Sequence, residues 1–210
     1  MNQIIYERIL KNSSHLLLSK GIRHISVMDL ANASDVSLRT FYKYFESKEA
    51  IVEYIISEGL KGDRITLKTA IKEYKNPLDA YVVFSKHTYF NLKNMCTEFF
   101  SDLSKYFPKQ YDLIQSFLLK DAVNFYVYMI AEGIKLGFIR KNINKNLCAI
   151  YLAESAVNSL FNIFIERKEY TKEQVFIQIS RIMVYGLCTK KGMDRFNKAA
   201  SKYFPELIKD

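Results

Sequence analysis

The amino-acid sequence predicts an all-α protein, and three observations support that fold class. Only 7 glycines and 3 prolines occur in 210 residues, against usual frequencies of roughly 7% and 5%, so few residues interrupt helices. Apolar residues make up 49% of the chain and recur mainly at helical spacing, with almost no alternation of the kind found in strands. Helix-capping patterns precede some of these segments, such as Thr171 followed three residues later by Gln174.

The first predicted helix covers residues 2–20 and ends at Gly21, a residue type that is common just past helix ends. Ile9 and Leu17 are among the apolar residues expected to pack on the two helices that follow. Charged residues such as Arg8 interrupt the apolar pattern, so this segment is not predicted to be a signal peptide.

Residues 26–49 predict two short helices joined by a tight turn and followed by a third, capped helix. Ser26 is a good N-cap, and Asp29 can reach back toward the first free amides. Asp35 stands in the turn, which needs a left-handed backbone that aspartate tolerates less well than glycine. Ser37 caps the second helix. This order is that of a helix-turn-helix, whose second helix enters the major groove of DNA.

The second helix of this motif, Leu38 to about Tyr44, has the composition of a DNA-reading element. Phe41 and Phe45 lie four residues apart and are expected to face inward. The outward positions carry polar tips that can donate to phosphates or base edges. The predicted DNA-binding residues are Ser26, Ser37, Leu38, Arg39, Thr40, Tyr42, Lys43, Tyr44 and Lys48.

The segment from Ile9 to Ala50 resembles, without gaps, the DNA-binding domain of the TetR family of bacterial transcription regulators. The most diagnostic part of the match is the run FYKYF at residues 41–45, followed by Ser-Lys-Glu at residues 47–49. The match also contains Gly21, Ser26-Val27, Asp29-Leu30-Ala31, Ala33, Val36-Ser37 and Thr40.

The chain departs from the family pattern at three places. Asp35 stands where the family usually has glycine, and Asn12 and Ser13 replace a pair of small apolar residues in the first helix. Leu38 occupies a position often filled by a charged or polar residue, which could alter the DNA sequence that is read. None of these changes removes the fold.

The resemblance implies both a domain organisation and a function. Residues 1–47 would form a three-helix DNA-binding domain, and residues 48–210 a larger helical domain for ligand binding and dimerisation, with about nine to ten helices in all. The chain would regulate transcription as a repressor that a small-molecule ligand releases from a palindromic operator in double-stranded DNA. The alternative left open is a helical small-molecule-binding protein that does not bind DNA.

The remainder of the chain predicts further helices without a flexible linker. A helix after Ser47 joins the two domains and is expected to end near Gly62. Pro77 opens the next helix, to about residue 94, since proline suits a first turn. A short helix follows through residue 106, and later helices are expected at about 108–137, 145–167 and 171–187. Residues 191–210 form either a docked helix or a partly disordered tail.

The predicted helices at about 145–167 and 171–188 are apolar on more than one face. One face would fill the core of the subunit, and another would meet a second subunit. The resemblance implies a homodimer that pairs these two helices, which would place two recognition helices about one turn of DNA apart. The alternative is a deeply buried helix pair in a monomer.

The larger domain is rich in aromatic residues, most of which must fill its core. The resemblance implies a pocket for an unknown small-molecule effector, which the spacing alone does not show; ligand pockets are mostly apolar with a few polar groups. His87 is either a hydrogen-bonded core residue or a ligand contact. The candidate ligand-binding residues are Phe84, His87, Phe99, Phe125, Tyr126, Tyr151, Glu154 and Asn158.

Other kinds of function find no support in the sequence. The three cysteines form no C-x-x-C pair, which argues against a zinc site or a disulfide framework. No catalytic motif occurs, so we expect neither an enzyme nor a bound cofactor or metal. The longest apolar stretch contains Glu154 and Asn158, so no membrane contact is predicted and a cytoplasmic location is expected. The net charge of +9 is consistent with a polyanionic partner, yet residues 1–50 contribute only seven basic and five acidic side chains.

Overall fold

The computed structural model describes the backbone of residues 2–161 and 169–209, with the side chains of residues 156–161 left out. The described chain is helical, apart from a single antiparallel bridge between Ile139 and Cys188. The first helices are α1 (Gln3–Lys20), α2 (Val27–Ala33), α3 (Leu38–Tyr42), α4 (Lys48–Glu73), α5 (Pro77–Lys93) and α6 (Thr97–Tyr106). They are followed by α7 (Pro108–Phe117), α8 (Val123–Lys135), α9 (Lys145–Phe161), α10 (Lys172–Leu187) and α11 (Lys190–Tyr203).

The chain forms two compact units that do not follow a single cut in the sequence. The first unit contains Met1–Lys61 and Asn94–Gln115, and the second contains Gly62–Lys93 and Ser116–Asp210. Helices α6 and most of α7 therefore belong to the unit that holds the helix-turn-helix. The predicted functional boundary at residue 47 lies inside the first unit and stays a prediction.

The first unit is built on the apolar faces of short capped helices. Asn2 caps α1 by accepting hydrogen bonds from the amides of residues 4 and 5, and Gly21 ends the helix with φ of 82°. The buried core of this unit includes residues predicted to face inward and residues from α6, among them Ile9, Leu17, Leu30, Phe41, Phe99 and Leu103.

The second unit has a core of its own. Its α10 begins with the predicted capping box, in which Thr171 and Gln174 bond reciprocally. Helix α11 is docked rather than disordered, since Phe196 and Ala200 on it are fully buried. Gly192 permits this docking, because a Cβ atom there would lie 1.9 Å from the carbonyl oxygen of Phe138.

Two helices differ from their predicted lengths. Gly62 does not end α4, which continues to Glu73; Leu60, Leu67 and Ala70 are buried on its inward face, and such burial outweighs the roughly 1 kcal/mol that glycine costs in a helix. The predicted helix 108–137 contains a π-helical turn at Leu118–Ala122 between α7 and α8. The predicted end of α9 near residue 167 lies outside the described residues.

Within the described residues, no helix has the length and apolar character that crossing a membrane requires.

Candidate nucleic-acid interface

Ser26 holds the first helix of the helix-turn-helix by a reciprocal capping box. Its Oγ accepts a hydrogen bond from the amide of Asp29 at 3.1 Å, and its own amide donates to Asp29 Oδ2 at 2.7 Å. The hydrogen bonds from Ser26 hold the pKa of the Asp29 carboxyl below its ordinary value. The carboxylate is therefore charged at neutral pH and fixes the start of α2.

The turn between α2 and α3 is left-handed at Asp35, with φ of 51°. The turn is braced from α1, where Asn12 Nδ2 donates to the carbonyl of Ala33 at 2.9 Å and an Arg8 guanidinium nitrogen donates to the carbonyl of Asp35 at 3.2 Å. Asn12 thus gains a role at a position where the family usually has a small apolar residue. Its neighbour Ser13 is buried, and its hydroxyl finds no partner among the described residues.

An aromatic cluster anchors the underside of α3. Phe41 is fully buried and Phe45 nearly so, as the four-residue spacing predicts. The Phe45 ring stacks on Tyr6 of α1, with centroids 5.7 Å apart, and meets Tyr54 of α4 edge-on at 6.1 Å. Helix α3 has only five residues, too short to be stable alone, so this packing holds it in place.

The outward face of α3 carries the side chains that can meet DNA. Arg39, Tyr42 and Lys43 are exposed, and Tyr42 retains 48% of its accessible area. Ser37, also exposed, caps the helix by accepting from the amide of Thr40 at 3.0 Å. Leu38 and Thr40 are half-buried. The exposed groups combine one guanidinium, one ammonium and one phenol, which suit phosphates and base edges.

Tyr44 and Lys48 have partners within the first unit. The Tyr44 hydroxyl bonds to both the amide and the carbonyl of Asn2, each at 3.2 Å. The Lys48 ammonium donates to the carbonyl of Ile22, and partial burial lowers the pKa of this ammonium. Both residues hold neighbouring segments together, and their predicted contacts with DNA stay predictions.

Asp102 on α6 is a supporting residue that the sequence analysis did not find. One of its oxygens accepts from the amides of Ile22 and Arg23, at 2.8 and 2.7 Å. The loop between α1 and α2 is therefore fixed on one side by Asp102 and on the other by Lys48. Asp102 and Ile22 lie 80 residues apart in the chain, so no local sequence pattern could have linked them.

Formal charge is distributed unevenly between the two units. The first unit contains ten basic and ten acidic side chains, whereas the second contains 21 basic and 12 acidic ones. The overall +9 therefore belongs to the second unit. Any electrostatic attraction of the first unit to DNA must therefore arise from the local arrangement of its basic side chains rather than from its net charge.

The second unit contains a small cavity between α5, α8, α9 and α10. The void measures about 20 Å³, enough for roughly one water molecule. It is lined by Tyr81, Ser85, Thr88, Tyr126, Leu152, Phe176, Ile179, Ser180 and Met183.

Among the predicted ligand-binding residues whose side chains are described, Tyr126 alone lines this cavity. Phe84 and Phe125 pack on each other in the core, with ring centroids 5.1 Å apart. Phe99 lies in the first unit, not with the others. Residue type identified these side chains as apolar rings, but their spacing along the chain did not show which of them share a cavity.

The remaining predicted ligand contacts lie away from the void. His87 is half-buried and its Nε2 lies 2.7 Å from Asp63 Oδ1; its predicted contact with a ligand stays a prediction. Tyr151 retains 66% of its accessible area, and Glu154 is exposed beside it on α9. The side chain of Asn158 lies outside the described residues.

Comparisons with known proteins agree with this geometry. Residues 9–55 match the sequence profile of a family described as bacterial regulatory proteins, tetR family. A curated relative from Mycobacterium sp. (strain GP1), the HTH-type transcriptional repressor DhaR, is 24% identical over 177 residues, which cover 81% of this chain and 87% of the relative.

Solved structures share the fold over nearly the whole chain. A TetR-family regulator from Agrobacterium tumefaciens has a TM-score of 0.70 at 15% identity, covering 89% of this chain and 99% of its own. A complex of SmeT with triclosan has a TM-score of 0.69 at 14% identity, covering 90% and 93%. At these identities the likeness shows the fold, with the second unit included.

Proposed function

Since this chain belongs to the TetR family of DNA-binding transcription regulators, we propose that it is a repressor that binds a palindromic operator as a homodimer. A small molecule that enters the second unit would release it from the DNA. The observation that carries the proposal is the exposed face of α3, where Arg39, Tyr42 and Lys43 project from a helix fixed by capping and aromatic packing. The relative DhaR is named a transcriptional repressor, which supports the direction of regulation.

We assign different tasks to the side chains of this face. Arg39 and Tyr42 would approach base edges, and Lys43 would hold a phosphate. Ser37 caps α3, and its hydroxyl is also hydrogen-bonded to the Thr40 hydroxyl, 2.8 Å away. Ser26, exposed at the start of α2, would touch a phosphate of the same groove wall. Lys48 and Tyr44 would act indirectly, by fixing the segments on which the reading residues stand.

The homodimer would form through α9 and α10. Both helices leave large apolar side chains exposed, including Leu147 at 66% on α9 and Ile182 at 68% on α10. Such exposure is costly unless another surface covers it. A twofold pair would present two α3 helices to successive major grooves, roughly 34 Å apart.

Release by an effector would work as a shift between two conformations. The effector must bind more tightly to the conformation that does not fit the operator than to the conformation that does. The chain passes three times between the two units, once within α4 between Lys61 and Gly62. We propose that α4 carries the change, because it is one continuous helix that begins beside α3. The SmeT structure contains triclosan, which supports a small-molecule effector for this fold.

The test begins by selecting an operator from random DNA with the wild-type protein. Arg39→Ala and Tyr42→Ala should each weaken retardation of that fragment by about 5–150-fold per affected half-site, corresponding to roughly 1–3 kcal/mol per base contact. Lys43→Ala should weaken all sequences alike and reduce the slope of log affinity against log salt by about one per half-site, or about two for the dimer.

Lys61→Ala is the matched control, since Lys61 is an exposed lysine of the same unit that lies roughly 20 Å along α4 from its first residue. Its retardation should equal that of the wild type, and circular dichroism should show unchanged helicity for all four variants. The proposal fails if α3 substitutions leave retardation unchanged, or if no DNA fragment is enriched.

A further inference from the structure

The walls of the cavity in the second unit contain hydroxyl groups but no charged side chain. Its nine lining residues include two tyrosines, two serines and a threonine, and the others are apolar. We propose that the effector is a small, uncharged ring compound with a hydroxyl or carbonyl oxygen, and that this oxygen binds the hydroxyl of Tyr126. This inference rests on the proposed function, because it names the class of molecule that would release the operator.

Tyr126 is the strongest candidate for the polar anchor. Only 6% of its surface is exposed, and its ring packs between Tyr81 and Phe125, with centroids 6.3 and 5.5 Å away. Tyr126 lines the void, and among the described residues its hydroxyl forms no hydrogen bond. Burial also raises the pKa of this phenol, so it stays neutral and able to donate. A ligand that supplies an acceptor would give this donor a partner.

The other hydroxyls of the cavity lining belong to Tyr81, Ser85, Thr88 and Ser180. Burial raises the pKa of the Tyr81 phenol, while the neighbouring hydroxyls of Ser85 and Ser180 act in the opposite direction. The Tyr81 hydroxyl therefore already has the hydroxyls of Ser85 and Ser180 beside it. The Thr88 hydroxyl donates to the carbonyl of Phe84 at 3.1 Å, so toward the void it can only accept a hydrogen bond. A ligand hydroxyl could donate there while accepting from Tyr126.

The absence of charged side chains from the cavity lining also limits the class of ligand that can bind. A carboxylate or ammonium group would lose its hydration on entering this cavity without meeting an opposite charge, which is strongly unfavourable. The aromatic rings of Tyr81, Tyr126 and Phe176 would instead favour a flat, apolar ring. The cavity therefore selects against charged effectors, although the unit that contains it carries the excess of basic side chains.

The size of the void sets a second condition. At about 20 Å³ it holds roughly one water molecule, so even a single ring must displace part of the wall. Met183 of α10 is the most adaptable lining side chain, with three rotatable bonds and a polarisable sulfur. An effector would therefore select an expanded state of this unit, which is the differential binding that release requires.

Isothermal titration of the full-length protein tests the inference with three molecules of similar shape. These probes are 4-methylphenol, toluene and 4-methylbenzoate. We expect 4-methylphenol to bind roughly three- to tenfold more tightly than toluene, as one net hydrogen bond provides. We expect 4-methylbenzoate to bind at least on the order of a hundredfold more weakly than 4-methylphenol.

Tyr126→Phe keeps the ring and removes the hydroxyl, so the preference for 4-methylphenol over toluene should fall to about one. Tyr128→Phe is the matched control, since Tyr128 lies on the same helix, is half-buried and does not line the cavity; its preference should not change. The inference is overturned if the charged probe binds best, if Tyr126→Phe retains the preference, or if no probe binds to protein that retards its operator. Loss of operator binding in the wild type would instead contradict the proposed function.

Discussion

Asp102 shows at the scale of one residue what the sequence could and could not indicate. Asp102 is 8% exposed, and its carboxylate accepts hydrogen bonds from two backbone amides of the loop before α2. Sequence reasoning identified the helix-turn-helix because its caps, turn and inward rings lie within 24 consecutive residues. It could not identify Asp102, or the Ile22 carbonyl as the partner of Lys48, because those contacts form only once distant segments fold together.

We predict that Asp102→Ala destabilises the first unit by roughly 2–4 kcal/mol, because the buried amide of Ile22 and the partly buried amide of Arg23 would lose their acceptor. Asp102→Asn keeps an acceptor oxygen and should cost about 1 kcal/mol. Urea denaturation followed by circular dichroism measures both. The loop also sets the start of α2, so operator retardation should weaken in the same order.

Asp112→Ala provides the control for Asp102, because Asp112 is an exposed aspartate of the same unit. Its free energy of unfolding should stay within about 0.5 kcal/mol of the wild type, as is usual for surface substitutions. Equal stability of Asp102→Ala and Asp112→Ala would show that the carboxylate does not hold the loop.

At the scale of helices, the sequence predicted where most elements begin better than where they end. Starts carry local signals, and those at Ser26, Ser37 and Thr171 are capped as predicted. Ends depend on burial, which explains why α4 runs past Gly62. No sequence signal predicted the π-helical turn after α7, since the apolar pattern continues through it. The docking of α11 likewise depended on a surface that the sequence did not show.

Gly192 determines the docking of α11, and we predict that Gly192→Ala destabilises the protein by about 1–3 kcal/mol or more. The added methyl group would lie 1.9 Å from the Phe138 carbonyl oxygen, and overpacking of this kind forces the backbone to move. Gly59→Ala is the matched control within α4, since nothing lies within 4 Å of the new atom. It should stabilise by up to about 1 kcal/mol, and thermal unfolding would reveal the opposite signs.

At the scale of the whole molecule, composition predicted the fold class, and the sequence already placed most of the +9 outside residues 1–50. The structure extends this observation, since the whole unit that contains the helix-turn-helix is formally neutral. The predicted pocket residues show what composition could not indicate. Aromatic composition showed that a cavity could be lined by rings, but helix packing decided that Tyr126 lines the void and that Tyr151 is exposed.

The exposed position of Tyr151 belongs with a larger apolar face on α9 and α10. Leu147, Ile150 and Tyr151 follow helical spacing on α9, and Ile182 and Tyr185 are exposed on α10. The described residues on these helices thus have one face in the core and another outside it, as the sequence predicted. The double variant Leu147→Glu/Ile182→Glu should therefore give a monomer in analytical ultracentrifugation, because dimerisation would bury charges without partners.

Operator binding by that double variant should weaken on the order of a hundredfold or more, because two separate reading helices lose the effective concentration that a dimer provides. Its α3 face is unchanged, so the salt dependence of the remaining weak binding should persist with about half the slope. Leu119→Glu is the control: Leu119 is also a large apolar residue with 58% exposure in the second unit, and its variant should stay dimeric. A double variant that remains dimeric and fully active would place the subunit contact elsewhere, whereas a monomer with wild-type affinity would contradict the twofold recognition of the operator.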